Sequence, residues 1–149
     1  MNRAAISAEE VPLPAHIQGF ILKVLDRLGK DRWDLSVLFC NNAYIKALNS
    51  RFRSIDEPTD VLSFALGTGY TDETTGETRF LPGDIIISLE TLAENARYFQ
   101  VPEDEELRRL LIHGILHLDG MDHETNEGFE PMLKLQEEIL AELLGETVF

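Results

Sequence analysis

The stretch that decides the fold runs from Pro102 to His123 and reads PEDEELRRLLIHGILHLDGMDH. A proline opens it, and the acidic residues Glu103 to Glu106 follow. Both suit a helix N-terminus, where proline's missing N–H costs little and the helix dipole favours negative charge. Leu107, Leu110, Leu111, Ile115 and Leu118 then recur at helical spacing, and Gly120 stops the helix after His117 or Leu118. His113 and His117 are four apart, so they project from one edge of that helix with Cβ atoms ~5–6 Å apart. Gly120 permits the positive φ of a sharp turn, which can bring His123 back toward them. A lone histidine at a helix edge is usually structural. Three at this spacing, with glycine at the turn, match the vertices of a tetrahedral zinc site whose fourth position is open, the arrangement of a catalytic zinc. The expectation is one Zn²⁺ per chain on His113, His117 and His123.

Working outward, helices and strands alternate. Pro14 to Leu28 carries Ile17, Ile21, Val24, Leu25 and Leu28 at helical spacing before Gly29. Trp33 to Cys40 alternates as a strand. Asn41 or Asn42 caps a helix bearing Ile45, Leu48 and Phe52, broken by Asp56-Glu57-Pro58. Val61 to Leu66 is a second strand. Gly67 to Gly83 is polar and glycine-rich and reads as a loop, with a short hairpin strand near Arg79-Phe80-Leu81. Asp84 to Ser88 is nearly all apolar, as in a strand covered on both faces. Ser88 caps a helix to about Gln100, and a last helix runs from about Glu127 to Leu144. This predicts a mixed α/β (α+β) fold over residues 1–149. One small sheet of about four strands packs with about five helices, and a zinc site lies in a cleft.

Composition sets the outer bounds. The 149 residues are 44% hydrophobic, which suits one domain with a real core. No apolar run approaches the ~18 residues of a membrane span, and Met1 to Pro12 shows no secretory apolar region. The single cysteine, Cys40, forms no intrachain disulfide. A cytoplasmic location is expected by default. The net charge of −14 opposes broad binding to nucleic acid, so any contact with RNA must come from a local basic group or a metal.

The ligand spacing His113-x₃-His117-x₂-Gly120-x₂-His123 reproduces that of metzincin proteases, but the glutamate they use as general base is Gly114 here. The whole segment His113-Gly-Ile-Leu-His-Leu-Asp-Gly-Met-Asp-His123 resembles the signature H-G-x-L-H-L-x-G-Y-D-H of the YbeY family of endoribonucleases and rRNA maturation factors. Leu48 to Phe64, through Arg53, Asp56, Pro58, Thr59 and Asp60, resembles that family's second block. Gly83 to Ser88 resembles its third. Met121 replaces the usual tyrosine and Ala65 a usual proline. The resemblance implies a mixed α/β domain with zinc in a cleft, held by His113, His117 and His123. It implies Arg53 and His117 as catalytic residues. It further implies a single-strand-specific endoribonuclease of 16S rRNA 3′-end maturation and ribosome quality control. The partners it implies are rRNA, small ribosomal subunit components and an Era-like GTPase.

Bound zinc can make a nucleophile of water near neutral pH and polarise a phosphoryl oxygen. Arg53 can grip a phosphate. Read alone, Arg53 is more readily a solvent-facing arginine beside Arg51, paired with Glu57 or Asp56; the resemblance reverses that order. No general base is obvious; Asp60, Asp84 and Asp122 are weak candidates, and the ribose 2′-OH is another nucleophile. Asp119 and Asp122 can serve the histidine N–H groups, or be plain turn residues. Lys46, Arg51, Arg79 and Arg97 are further phosphate contacts if they converge. Ser63 lacks a nucleophile elbow and Cys40 reads as a packed hydrophobe. Two other readings remain open: a metallopeptidase, opposed by Gly114, and a non-catalytic, zinc-stabilised ribosome assembly factor.

Overall fold

The computed structural model describes residues 1–149. Its elements follow in the order β1 (Arg3–Ala8), α1 (Ile17–Arg27), β2 (Asp34–Cys40), α2 (Asn42–Arg53), β3 (Val61–Thr71), β4 (Thr78–Ser88), α3 (Leu89–Phe99), α4 (Glu103–Leu118) and α5 (Pro131–Glu142). The strands form one sheet in the order β1-β2-β4-β3. β1, β2 and β4 run parallel, and β3 turns back antiparallel on β4 at the sheet edge. The expected mixed α/β architecture, four strands with five helices, is the one observed.

Strand alternation sorts side chains onto two faces. Leu35, Val37, Phe39, Ile85 and Ile87 share one face and are at most 1% exposed. They join Phe20 of α1, Leu111 and Ile115 of α4 and Met132 of α5 in the main core. The other face carries a smaller cluster of Cys40, Leu62 and Ile86 beneath Ile45 of α2. Burial pushes the Cys40 thiol up to about 11, so it packs as a hydrophobe, as its place in an apolar strand suggested.

Gly114 lets α4 lie close on the sheet. A Cβ there would stand 2.9 Å from Cδ1 of the fully buried Ile85. The ~1 kcal/mol that glycine costs in a helix is thus the condition for this close approach. Gly114→Val is expected to lower stability by about 3 kcal/mol through overpacking. Thermal unfolding checks this as a midpoint loss of roughly 6–12 °C.

Three features depart from the sequence expectation. β1 was not anticipated: its RAAISA run is rich in small residues that favour strands weakly, and it buries only Ala4. The polar Gly67–Gly83 stretch is mostly a hairpin, in which Thr68 to Thr71 pair with Thr78 to Leu81. Backbone pairing and a buried ion pair hold that ribbon, rather than apolar alternation. Arg79 is 2% exposed. Its Nε and Nη2 donate to Asp34 at 2.9 and 2.6 Å, and its Nη1 to Glu77 at 2.8 Å. Tyr70 also donates to Asp34. Arg79 is therefore committed to the fold and is not a phosphate contact. Finally, α5 begins at Pro131 rather than Glu127, with proline in its first turn.

Candidate metal centre

α4 ends in a glycine-centred turn that delivers the third histidine. Met121 N–H donates to Leu116 O at 3.0 Å and Gly120 N–H to His117 O at 3.0 Å, with Gly120 at φ 90°. These are the paired bonds of a Schellman motif. Met121 also packs its side chain on the main core. The turn carries His123 back beside the helix. The ring centroids of His113, His117 and His123 lie 4.5 to 5.6 Å apart, and one ligand atom from each falls within 4.8 Å of the others.

The hydrogen bonds of these rings decide which nitrogen faces inward. His113 Nδ1 lies 2.6 Å from Gln136 Oε1, His117 Nδ1 3.1 Å from Met121 O, and His123 Nδ1 2.8 Å from Thr125 O. The Gln136 amide is oriented by its own Nε2, which donates to Glu137 Oε2 at 3.1 Å. All three partners are carbonyl oxygens, which only accept, so each ring must carry its proton on Nδ1. In a neutral ring so held, Nε2 is left with a bare lone pair. Nε2 of His113 and Nε2 of His117 stand only 3.0 Å apart. Two unprotonated nitrogens repel at that distance unless a cation lies with them. Burial, the leading cause, holds both rings below the ordinary imidazole range. The three rings together could hold a metal ion. The residues fit a zinc ion by donor chemistry: neutral imidazole is a preferred zinc ligand, and each Nδ1–H is anchored as metal-binding histidines require.

His113 and His117 face the sheet edge across a cleft of about 260 Å³, lined on the strand side by Val61, Leu62, Ser63 and Ala65 of β3; His123 lines the neighbouring cavity. Arg53 also lines the first cleft. Asn41 caps the start of α2 by accepting from Tyr44 N–H at 2.9 Å, and Ser54 closes the helix in a left-handed conformation. That places Arg53, the last helical residue, over the Phe64 ring at 5.6 Å, with Nη2 donating to Ser63 O at 2.8 Å. Its other N–H groups have no partner in the chain, and its charge helps to hold His117 low.

The remaining candidates sort clearly. Asp60 lines a second cavity, of about 450 Å³, beside His113. Its carboxylate already accepts from Val61 N–H at 2.8 Å, Thr59 Oγ1 at 3.3 Å and Asn95 Nδ2 at 3.2 Å; it ties the loop before β3 to α3. Asp84 neighbours the inward Ile85 on β4, so it faces away from α4. Asp119 pairs with Lys30 at 2.6 Å and touches no histidine ring. Asp122 accepts from the His123 backbone N–H at 2.8 Å and stands 4.0 Å from His117 Nδ1. Lys46, Arg51 and Arg97 line neither cavity. The Ser63 hydroxyl has no hydrogen-bonded base, in keeping with its rejection as a nucleophile.

Gln136 was missed by sequence reasoning, although a signal existed. The buried stripe of α5 reads Met132, Gln136, Ile139 and Leu140. One amide at an otherwise apolar position asks for a buried polar partner.

No helix is long and apolar enough to cross a membrane. A family model described as Endoribonuclease YbeY matches residues 4–144. The Endoribonuclease YbeY of Treponema denticola is 54% identical over 136 residues, covering 91% of this chain and 87% of that protein. The protein of that name from Treponema pallidum is 47% identical over 145 residues, covering 95% and 90%. The one from Borreliella afzelii is 50% identical over 122 residues, covering 81% and 80%. The solution structure of TM1509 from Thermotoga maritima superposes with a TM-score of 0.57 at 29% identity, covering 95% of this chain and 89% of that one. Matched along nearly its whole length, with three histidines gathered at the end of its longest helix, the chain belongs to the YbeY endoribonuclease family.

Proposed function

We propose that this chain is a zinc-dependent endoribonuclease that cuts single-stranded RNA, with His113, His117 and His123 holding the ion and Arg53 holding the phosphate. The observation that carries this reading is three imidazoles with ligand atoms within 4.8 Å of one another, each with its Nδ1 held by a carbonyl oxygen. Zinc bound there would supply Lewis acidity for phosphoryl chemistry. Arg53, oriented by the Ser63 carbonyl, offers its free N–H groups to phosphate oxygens in the same cleft. It supplies the local positive charge that a −14 chain needs where it meets RNA. The cleft between α4 and the β3 edge is small, which favours one unpaired strand over a duplex. His117, half-buried and held below the ordinary imidazole range chiefly by that burial, turns its Nδ1 to the Met121 carbonyl, which leaves Nε2 for the ion.

The biological setting we propose follows from the family. It is maturation of the 16S rRNA 3′ end and ribosome quality control in the cytoplasm, alongside small ribosomal subunit components and an Era-like GTPase. The peptidase reading gains nothing from the geometry: residue 114 faces Ile85, so the glutamate of that mechanism has no room there. The test is to offer the purified protein unstructured RNA and casein side by side, before and after chelation and zinc return. RNA cleavage that stops on chelation and resumes with zinc is expected, with casein untouched. Cleavage of neither substrate would leave the non-catalytic assembly factor as the better account.

A further inference from the structure

Of the three anchors on the histidine rings, two are backbone carbonyls, which no substitution removes. The third, on His113, is a side chain. Gln136 is 7% exposed and reaches His113 Nδ1 from α5. It does not act alone. Its Nε2 donates to Glu137, and Glu137 is gripped by Arg109, whose Nε donates at 3.0 Å and Nη2 at 3.1 Å. Arg109 Nη1 donates in turn to Glu106, 5% exposed, at 3.2 Å. The chain of contacts leaves α4 at His113, passes through α5, and returns to α4 one and two turns earlier.

We infer that Gln136 is a positioning residue for the metal centre: braced by Glu137, Arg109 and Glu106, it fixes the ring orientation and Nδ1–H tautomer of His113 before any metal arrives. Three physical points carry this. A glutamine amide rotates freely unless both its ends are held, and here both are. A carboxylate on the amide N–H polarises the group and makes its oxygen a stronger acceptor, because linked hydrogen bonds reinforce one another. An imidazole whose Nδ1–H is held by a strong acceptor is a more basic ligand at Nε2. The arrangement also answers why a carboxylate as buried as Glu106, which desolvation raises above the usual range, is kept: it holds Arg109 against Glu137. The inference rests on the reading of His113 as a ligand, but its main observable does not need metal.

The test uses the full-length chain and two variants, Gln136→Met and Gln136→Glu. Imidazole ¹H–¹⁵N NMR of the metal-free protein reads the tautomer of each histidine. In the wild type all three are expected as Nδ1–H. In Gln136→Met, His113 alone is expected to lose that state, with His117 and His123 unchanged. In Gln136→Glu, which keeps an acceptor, His113 is expected to retain it. Competition with a chromophoric chelator then reads zinc affinity, expected to fall about 10–100-fold in Gln136→Met. A purely packing role would lower thermal stability and leave the tautomer and affinity alone. His113 remaining Nδ1–H in a folded Gln136→Met protein overturns the inference, even if the wild type also binds zinc. Wild-type protein that binds no zinc, yet shows the expected tautomers, would count against the metal reading and leave the positioning role supported.

Discussion

His117→Ala is expected to abolish RNA cleavage while leaving the fold in place. His117 supplies one of the three converging nitrogens, and its Nε2 is the one 3.0 Å from that of His113. Two imidazoles do not replace three, so the metal dissociates and its Lewis acidity goes with it. A loss of at least ~10³-fold in rate is expected, equivalent to about 4 kcal/mol of transition-state stabilisation. Stability should change little, because the ring is partly exposed and its one internal bond is to the carbonyl of Met121. The check pairs RNA cleavage with thermal unfolding of the metal-free proteins. Cleavage at wild-type rate in His117→Ala would remove the histidine cluster from the mechanism.

Arg53→Glu is the second large effect. The guanidinium is exposed, lies over Phe64, and donates one hydrogen bond to a backbone carbonyl. Reversing its charge leaves the histidines untouched and puts a carboxylate where phosphate must sit. Cleavage is expected to fall by about 10²–10³-fold, in the range found for removing a preorganised donor from a transition state. Zinc content and folding should remain as in wild type. Arg53→Lys keeps the charge but not the fork, so it should recover only part of the rate. Loss of zinc together with activity in Arg53→Glu would make the arginine a structural support of the metal centre instead.

These two residues were legible in the sequence to different degrees, for physical reasons. The histidines were readable because helical periodicity fixes which residues share an edge, and because a glycine after the last apolar position signals a reversal. Arg53 was not readable from its neighbours. It is a surface residue on α2, and what brings it to the cleft is the placement of α2's end beside β3, a tertiary fact. From sequence, Asp119 and Asp122 were open as supports for the rings or as plain turn residues. The structure instead uses two main-chain carbonyls and Gln136. Main-chain contacts carry no residue signature, which also explains how Met121 can stand where relatives were expected to carry tyrosine: its contact with His117 is through its carbonyl.

The fold shows the same division. The apolar strands β2 and β4 and the amphipathic helices announce themselves because burial dictates their pattern. β1 and the β3–β4 ribbon do not, because little of either is buried. β1 is held by parallel pairing with β2, and the ribbon by backbone bonds and by Arg79 clasped between Asp34 and Glu77. Gly114 was noticed as an anomaly within a helix, and only the nearness of Ile85 explains it.

The most direct measurement is metal analysis of the purified protein supplied with zinc, combined with X-ray absorption at the zinc edge and repeated on His113→Ala. The account predicts about one zinc per chain, in a shell of imidazole nitrogens, lost in the variant. A folded wild-type protein that takes up no zinc, or a His113→Ala protein that holds it as firmly as before, would contradict the account.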